Sequence, residues 1–499
     1  MQVAGKRITK YGITLLAIIL VGAFLRVYQL GAQSIWYDES SSVYIAKLSF
    51  TQFAQALPAL ERSPPLYFLI LHYWVILFGT SEFAVRLLSV LFGVLALPMI
   101  YVLGRQLFNE EVGLVAALIL ALSSFNIQYS QEARMYSLMV LLALLSMYFF
   151  TRFLQRNTVA ISVGYVVSTT LLLYTHVYGM FVVIAQNVYL LTLLFLSREH
   201  AFRLRHWIAL EALLVAFFAP WISVFISQIR AKGPLAPPPP GTVIHTFVIY
   251  SGTVFLLALF IGLSLLSLFA YQKVRGVMDW KTPLKALESY AWEVRTANVE
   301  PVYFLVVWLF ALNVIPFIIS RFSEPIYAYT YERYAIAGSV ALYLLVARGI
   351  RTINHRYTKF AVIGIIVVLS AANLQPYYTS ITKPQAREAT SFIDANFKSG
   401  DVVLVSPPWE HFTFDYYNNR TDIAIKPINS YAAFNLSEDK IREIQSDVNG
   451  SDRVWLLYAY AGEPLSAKNF TLEILNESYA NTLVKNYYTY QVYLFEKRA

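Results

Sequence analysis

The sequence predicts a polytopic α-helical membrane protein of about eleven spans that ends in a small α/β domain. Three observations predict it. Of 499 residues, 57% are hydrophobic and only 14% charged, against about 25% charged in an ordinary soluble domain, and the mean hydropathy is +0.52. Apolar runs of spanning length recur from residue 11 to residue 374. After Pro376, helix-like stretches alternate with short β-rich runs. Residues 1–376 are therefore read as a membrane domain with one long external loop, 31–82, and residues 377–499 as a soluble domain.

The first apolar run, 11–30, follows Lys6, Arg7 and Lys10 in the manner of a signal peptide. It is long enough to span and no clean small-x-small cleavage site follows, so it is taken as the first transmembrane helix. Further spans are expected near 83–104, 112–126, 134–151, 159–175, 178–196, 207–226, 243–270, 302–320, 334–349 and 357–374. The stretch Leu66 to Phe78 follows Pro64 and Pro65. At 13 residues it falls short of the roughly 20 a span needs, and is read as interfacial or re-entrant. In the tail, helices are expected at Arg387 to Phe397 and Ser437 to Val448, and strands in the runs beginning at Asp401, Asp422, Val454 and Tyr490.

Charge orients this arrangement. The net charge is +9, yet residues 377–499 hold 12 basic and 15 acidic side chains, leaving 27 basic and 15 acidic in residues 1–376. With a cytoplasmic N-terminus, 18 basic residues fall on inner segments and 7 on outer ones, as the positive-inside rule requires. The basic excess thus belongs to membrane topology, and no nucleic-acid binding is read from it. Five N-x-S/T sequons, at Asn419, Asn435, Asn449, Asn469 and Asn476, all lie in the tail, which agrees with an external placement. There is no cysteine, so disulfides, thiolate metal sites and CxxC redox chemistry are excluded. A metal would need His, Asp or Glu.

The predicted topology gathers the polar motifs on the outer face. These are Asp38 and Glu39 in WYDES, Gln131, Glu132 and Arg134 in SQEARMYS, His176 and Tyr178 in YTHVYG, and Glu324, Glu332 and Arg333 in EPIYAYTYERY. Ionisable groups near bilayer depth are costly and mark a cavity or pathway. Adjacent carboxylates in a strand or loop point apart, so Asp38 and Glu39 divide roles, one as general base and one structural. Each motif also has a plainer reading: a solvated acidic pair at a helix cap, a local ion pair of Arg134 anchoring a helix end, an interfacial histidine. No DxD-type triplet, phosphate loop, GxSxG elbow or HExxH is present. A nucleotide-driven reaction is therefore not expected, and an external site would need a lipid-borne donor.

Asp38-Glu39, Pro64-Pro65-Leu66-Tyr67, SQEARMYSL from Ser130, YTHVYG from Tyr174 and ERYAI from Glu332 together resemble the GT-C glycosyltransferases. Within these the chain is most similar to the group of protein O-mannosyltransferases and lipid A aminoarabinose transferases. The resemblance implies a polyprenyl-phosphate sugar donor, an external loop that forms part of the active site, and inverting transfer. Asp38 matches the family's base toward the acceptor hydroxyl, with Glu39 its neighbour. Many relatives carry His or Lys directly before the paired prolines, where this chain has Ser63 with Arg62 adjacent.

The residue types suit that chemistry. Asp38 would deprotonate the acceptor, while Arg134 and Arg333, with Arg62, Arg230 and Arg321 behind them, would steady the phosphate leaving group, since guanidinium binds phosphate bidentately. His176, Tyr178, Gln131, Glu132 and Glu332 would bind sugar hydroxyls or orient those arginines. One carboxylate suffices when the leaving group is already a phosphate, so no cofactor is required and a divalent metal is not predicted. The expected sugar is mannose or another hexose, and the acceptor a hydroxyl of a protein, lipid or glycan. Two other readings remain at this point, a transporter or flippase of a lipid-linked sugar and a noncatalytic surface scaffold. A transporter predicts polar groups through the midplane and repeated halves.

Overall fold

In the computed structural model the expected apolar runs are helices. The structure describes residues 2–61, 63–196, 204–230, 238–268, 270–272, 293–295, 299–322, 332–428, 438–459 and 465–498. In chain order the first helices are α1 (Gln2–Val27), α2 (Tyr37–Lys47), α3 (Phe50–Leu60), α4 (Leu66–Phe78), α5 (Glu82–Leu107), α6 (Glu110–Leu122) and α7 (Ser124–Ser130). They are followed by α8 (Tyr136–Gln155), α9 (Val159–Leu173), α10 (Gly179–Leu196), α11 (Leu204–Arg230), α12 (Thr242–Ser251) and α13 (Val254–Leu266). Next come short strands β1 (Ala270–Gln272) and β2 (Glu293–Arg295), α14 (Val299–Phe322), a 3-10 turn at Glu332–Gly338, α15 (Ser339–Thr352) and α16 (Arg356–Thr379).

Among the described residues, seven helices are long and apolar enough to cross a membrane, and nine spans result if two bent pairs each count as one. The bent pairs are α6 with α7, at 63°, and α12 with α13, at 91°. Two further expected spans, α9 and α10, are shorter apolar helices, as is α4. Each bend has a local cause. At the second, Gly252 takes φ +88°, a left-handed turn that ends α12, and Thr253 then caps α13 by accepting from Leu256 N at 3.1 Å. At the first, Ser123 caps α7 by accepting from Asn126 N at 3.2 Å.

The bend at Ser123 leaves the last carbonyls of α6 without helical donors. Arg26 supplies them: Nη2 donates to Leu120 O at 3.1 Å and Nη1 to Ala121 O at 3.3 Å, while Nε donates to Ser130 Oγ at 3.2 Å. That explains a buried arginine in the last turn of an apolar helix. Small residues set other contacts. A Cβ on Gly349 of α15 would lie 1.8 Å from Leu263 O of α13, so only glycine permits that approach.

Contact density divides the chain into a first unit of 1–28, 54–70 and 86–376 and a second of 29–53, 71–85 and 377–499. The second unit therefore includes α2 and other parts of the 31–82 segment as well as the tail. In the tail, helices α17 (Ala386–Asn396), α18 (His411–Tyr417), α19 (Glu438–Val448) and α20 (Leu465–Ser478) surround one sheet. Its strands are β3 (Val402–Ser406), β4 (Ala424–Pro427), β5 (Arg453–Ala459), β6 (Tyr479–Tyr487) and β7 (Tyr490–Lys497), in the order β4-β3-β5-β7-β6. β3 pairs in parallel with β4 and β5, and the β5–β7 and β7–β6 pairs are antiparallel.

Interior strand β3 is buried along its whole length because both faces are covered. Val403 and Val405 join one core with Ile393, Phe414 and Trp455, and Val402 and Leu404 join the other with Ile444, Val448 and Ile474. β6, α18 and α20 were not expected. β6 is a largely exposed edge strand with little apolar alternation, and α18 is only seven residues of mainly aromatic sequence. The described sequon residues Asn419, Asn449, Asn469 and Asn476 are exposed, and Asn435 lies outside the described residues.

Replacing Gly349 by alanine should force α15 from α13 and cost about 1–3 kcal/mol. A drop in melting temperature in detergent checks this, with Gly364→Ala as control. Gly364 has open space around its Cβ position, so that variant should be neutral or slightly stabilised by alanine's helix propensity.

Candidate active site

Four of the five motifs meet in the first unit. The segment after α3 is joined to the α9–α10 link by a hydrogen bond from Leu66 N to Tyr174 O at 2.9 Å. Glu61, at the end of that helix, accepts from both terminal nitrogens of Arg134, Nη1 to Oε1 at 2.8 Å and Nη2 to Oε2 at 3.2 Å. Both side chains are more than nine-tenths buried. The Arg134 guanidinium also lies over the Phe68 ring at 5.6 Å, a cation–π contact. Its backbone is held too: Tyr67 bonds Ser89 Oγ at 2.9 Å, and Ser89 donates to Arg134 O at 3.0 Å.

Gln131 ends α7 and turns its amide to α1, with Nε2 donating to Arg26 O at 3.0 Å and Tyr28 O at 2.8 Å. It closes the C-terminus of the first membrane helix. Ser130 receives Arg26, and Glu132 is buried beside them in the sequence. In this structure SQEAR is thus a knot that ties α1, α6, α7 and the end of α3 together, with Arg134 at its far end.

His176 sits in the link between α9 and α10, wholly buried. Its Nδ1 accepts from Tyr178 N at 3.1 Å, which leaves the proton of the neutral ring on Nε2. Burial, and then the charges of Arg134 and Arg333, push its pKa down to about 3. The ring is therefore neutral at physiological pH and sits between two cations as a dipolar donor. Around it stand Tyr334 at 5.0 Å, Tyr178 at 5.7 Å and Tyr136 at 6.1 Å between ring centroids. Arg333 lies 6.0 Å from the rings of both Tyr136 and Tyr334. Glu332 points elsewhere, pairing with His245 on α12 at 3.0 Å.

Arg134, His176, Tyr178 and Arg333 thus form one aromatic-lined cationic cluster. Its chemistry suits an anion, because the Arg333 guanidinium and a neutral imidazole N–H present donors among tyrosine rings, while the terminal nitrogens of Arg134 are taken by Glu61. Arg62 and Glu324 lie outside the described residues. Among the described residues, no three His, Asp or Glu side chains gather closely enough to hold a metal ion.

Asp38 and Glu39 belong to the second unit and stand in the first turn of a helix, not in a loop or strand. The serine-rich sequence of α2 is a weak helix former; packing on α18 forms it. Ser40 Oγ bonds Thr413 Oγ1 at 2.9 Å and Tyr44 meets Phe412 at 4.7 Å. Carboxylates at a helix N-terminus are favoured by the backbone dipole. The two differ sharply: Glu39 is fully buried and paired with Lys383 Nζ at 3.1 Å, whereas Asp38 is half-exposed. Nearby, the buried Glu410 bonds Tyr490 at 2.6 Å. Its pKa is raised by burial foremost and also by the charge of Asp38. Sequence reasoning missed Glu61, Lys383 and Glu410, since each partner lies far away along the chain.

Residues 62–224 match the family described as dolichyl-phosphate-mannose-protein mannosyltransferase. ArnT from Cupriavidus metallidurans is similar in structure, in its undecaprenyl phosphate complex at 12% identity over 97% of this chain and 98% of that one, with TM-score 0.60. Its apo state gives 0.63 at 11% identity over 98% of each chain. The chain has the GT-C glycosyltransferase fold. The archaeal oligosaccharyltransferase AglB from Archaeoglobus fulgidus, solved with an inhibitory peptide and a dolichol-phosphate, shares it at 11% identity over 97% of this chain and 74% of that one, TM-score 0.57. No curated protein matches the chain in sequence. The GT-C fold and the apolar helices make this a multi-pass membrane protein.

Removing one partner of the buried fork leaves a charge uncompensated. Glu61→Leu or Arg134→Met alone should therefore cost about 3–5 kcal/mol, and the double variant should regain much of that loss. Thermal unfolding in detergent of the four proteins in the cycle measures the coupling; equal losses that simply add would contradict it.

Proposed function

We propose that the protein is an integral membrane glycosyltransferase that moves a sugar, mannose or another hexose first, from a polyprenyl-phosphate carrier to an acceptor hydroxyl at the external face. The observation that carries the reading is the GT-C fold over nearly the whole chain combined with a partly exposed aspartate in the first turn of α2. Two structural neighbours were solved with a polyprenyl phosphate, which supports the donor class. The excess of basic residues on inner segments supports a cytoplasmic N-terminus, with the domain 377–499 outside.

Asp38 acts as general base. Its carboxylate takes the proton of the acceptor hydroxyl as that oxygen attacks the anomeric carbon; the bond from that carbon to the phosphate oxygen breaks, and the electron pair leaves on polyprenyl phosphate. The configuration inverts. Arg333 is the leading cation for the departing phosphate, with His176 and Tyr178 as neutral donors. Arg134 has its two terminal nitrogens committed to Glu61, so its part is to shape the cluster and add charge at short range. Glu39, buried on Lys383, is the structural member of the acidic pair. Gln131, Glu132 and Glu332 hold the framework around these groups.

Release of polyprenyl phosphate from a panel of synthetic polyprenyl-phosphate sugars by purified full-length protein tests this reading. Wild type should release it from one sugar donor when acceptor is present. Asp38→Asn should lower the rate by about 10²–10⁴-fold while folding normally. Undiminished release by Asp38→Asn would overturn the mechanism, and no release from any donor would overturn the activity.

A further inference from the structure

Residues 380–388, which follow α16, form a strap around the chain that leads into the acidic helix. Gln33 Oε1 accepts from Thr382 N at 2.8 Å, Lys383 N at 2.9 Å and Thr382 Oγ1 at 3.3 Å, and Gln33 Nε2 donates to Ser380 O at 3.4 Å. Ser34 Oγ accepts from Arg387 N at 3.2 Å and donates to Glu388 Oε2 at 3.0 Å. Arg387 reaches Glu82 through Nε at 3.0 Å and Nη2 at 2.6 Å. Ile35 N donates to the Tyr417 hydroxyl at 2.7 Å. The segment just ahead of α2 is thereby held at three successive residues, through the side chains of Gln33 and Ser34 and the backbone of Ile35.

The same strap ends this series inside the helix, where Lys383 Nζ meets the fully buried Glu39 carboxylate at 3.1 Å. A buried carboxylate is tolerated only when paired, and freeing it is costly. Successive residues of a helix stand about 100° apart around the axis. Turning α2 to release Glu39 would therefore swing Asp38 by the same angle. Glu39 is an anchor, and the orientation of Asp38 follows from where Lys383 holds it.

We infer that Lys383 is a positioning residue for Asp38: through Glu39 it sets the rotation of α2 and so the direction of the proposed base. The inference rests on the reading of Asp38 as base, and the test separates the two. Purified full-length wild type, Lys383→Met, Lys383→Arg, Glu39→Gln and Asp38→Asn are compared for release of polyprenyl phosphate, and by hydrogen–deuterium exchange of peptides covering 36–47. Lys383→Met should lower kcat by about 10²-fold, as an ångström-scale misplacement does, with KM for the donor little changed. Lys383→Arg should recover most of that loss, and Glu39→Gln should resemble Lys383→Met.

Exchange in 36–47 should rise in Lys383→Met while strands β3 and β5 keep their protection. Unchanged exchange there, wild-type kcat, or equal loosening of the whole sheet would each overturn the positioning role. Full activity in Asp38→Asn would instead overturn the base assignment, while exchange at 36–47 still reports on the Lys383–Glu39 anchor.

Discussion

The buried fork between Arg134 and Glu61 is the interaction on which the first unit depends. A guanidinium and a carboxylate buried within the protein are each expensive, and only good two-point geometry with further hydrogen bonds makes the pair tolerable. That requirement dictates much around it. Glu61 has to be brought to the end of α7, and Ser89 and Tyr67 hold the Arg134 backbone. The bend between α6 and α7 needs Arg26 for its open carbonyls, and Gln131 closes α1 in return. Once those are in place, the α9–α10 link and the 3-10 turn carrying Arg333 complete an aromatic wall around a neutral His176.

A second constraint of the same kind shapes the acidic helix. Two adjacent carboxylates face different surroundings, so one can be spent on structure and the other kept for chemistry. Glu39 is buried on Lys383 and Asp38 is partly exposed, which supports the division of roles proposed above. The same logic separates the arginines: one is clamped by a carboxylate, the other lies against tyrosine rings. In both pairs the environment, rather than the residue type, assigns the role.

What the sequence made legible followed from local signals. Apolar length located the spans, and short β-rich runs located β3, β4, β5 and β7. The motif residues Arg134, His176, Tyr178 and Arg333 stood out because polar side chains between apolar runs are rare. What was hidden depended on distance along the chain. Glu61 lies 73 residues from Arg134 and Lys383 lies 344 from Glu39, and no spacing rule links such pairs. The helical state of α2 was hidden for a related reason: YDESSSVYIAK has weak intrinsic helicity, and its packing on α18 supplies what propensity does not. Gln131 was expected to bind sugar hydroxyls or orient the arginines, and its amide nitrogen on the carbonyls of α1 was not foreseen, because a helix end exposes acceptors that the sequence alone does not assign to a donor.

The central claim is a single displacement driven by one carboxylate base on a polyprenyl-phosphate sugar. The most direct measurement is the anomeric configuration of the product, read by nuclear magnetic resonance after transfer by wild-type protein from a donor of known configuration. The account predicts inversion. A product of retained configuration would require two displacements and a covalent sugar intermediate, and would contradict it.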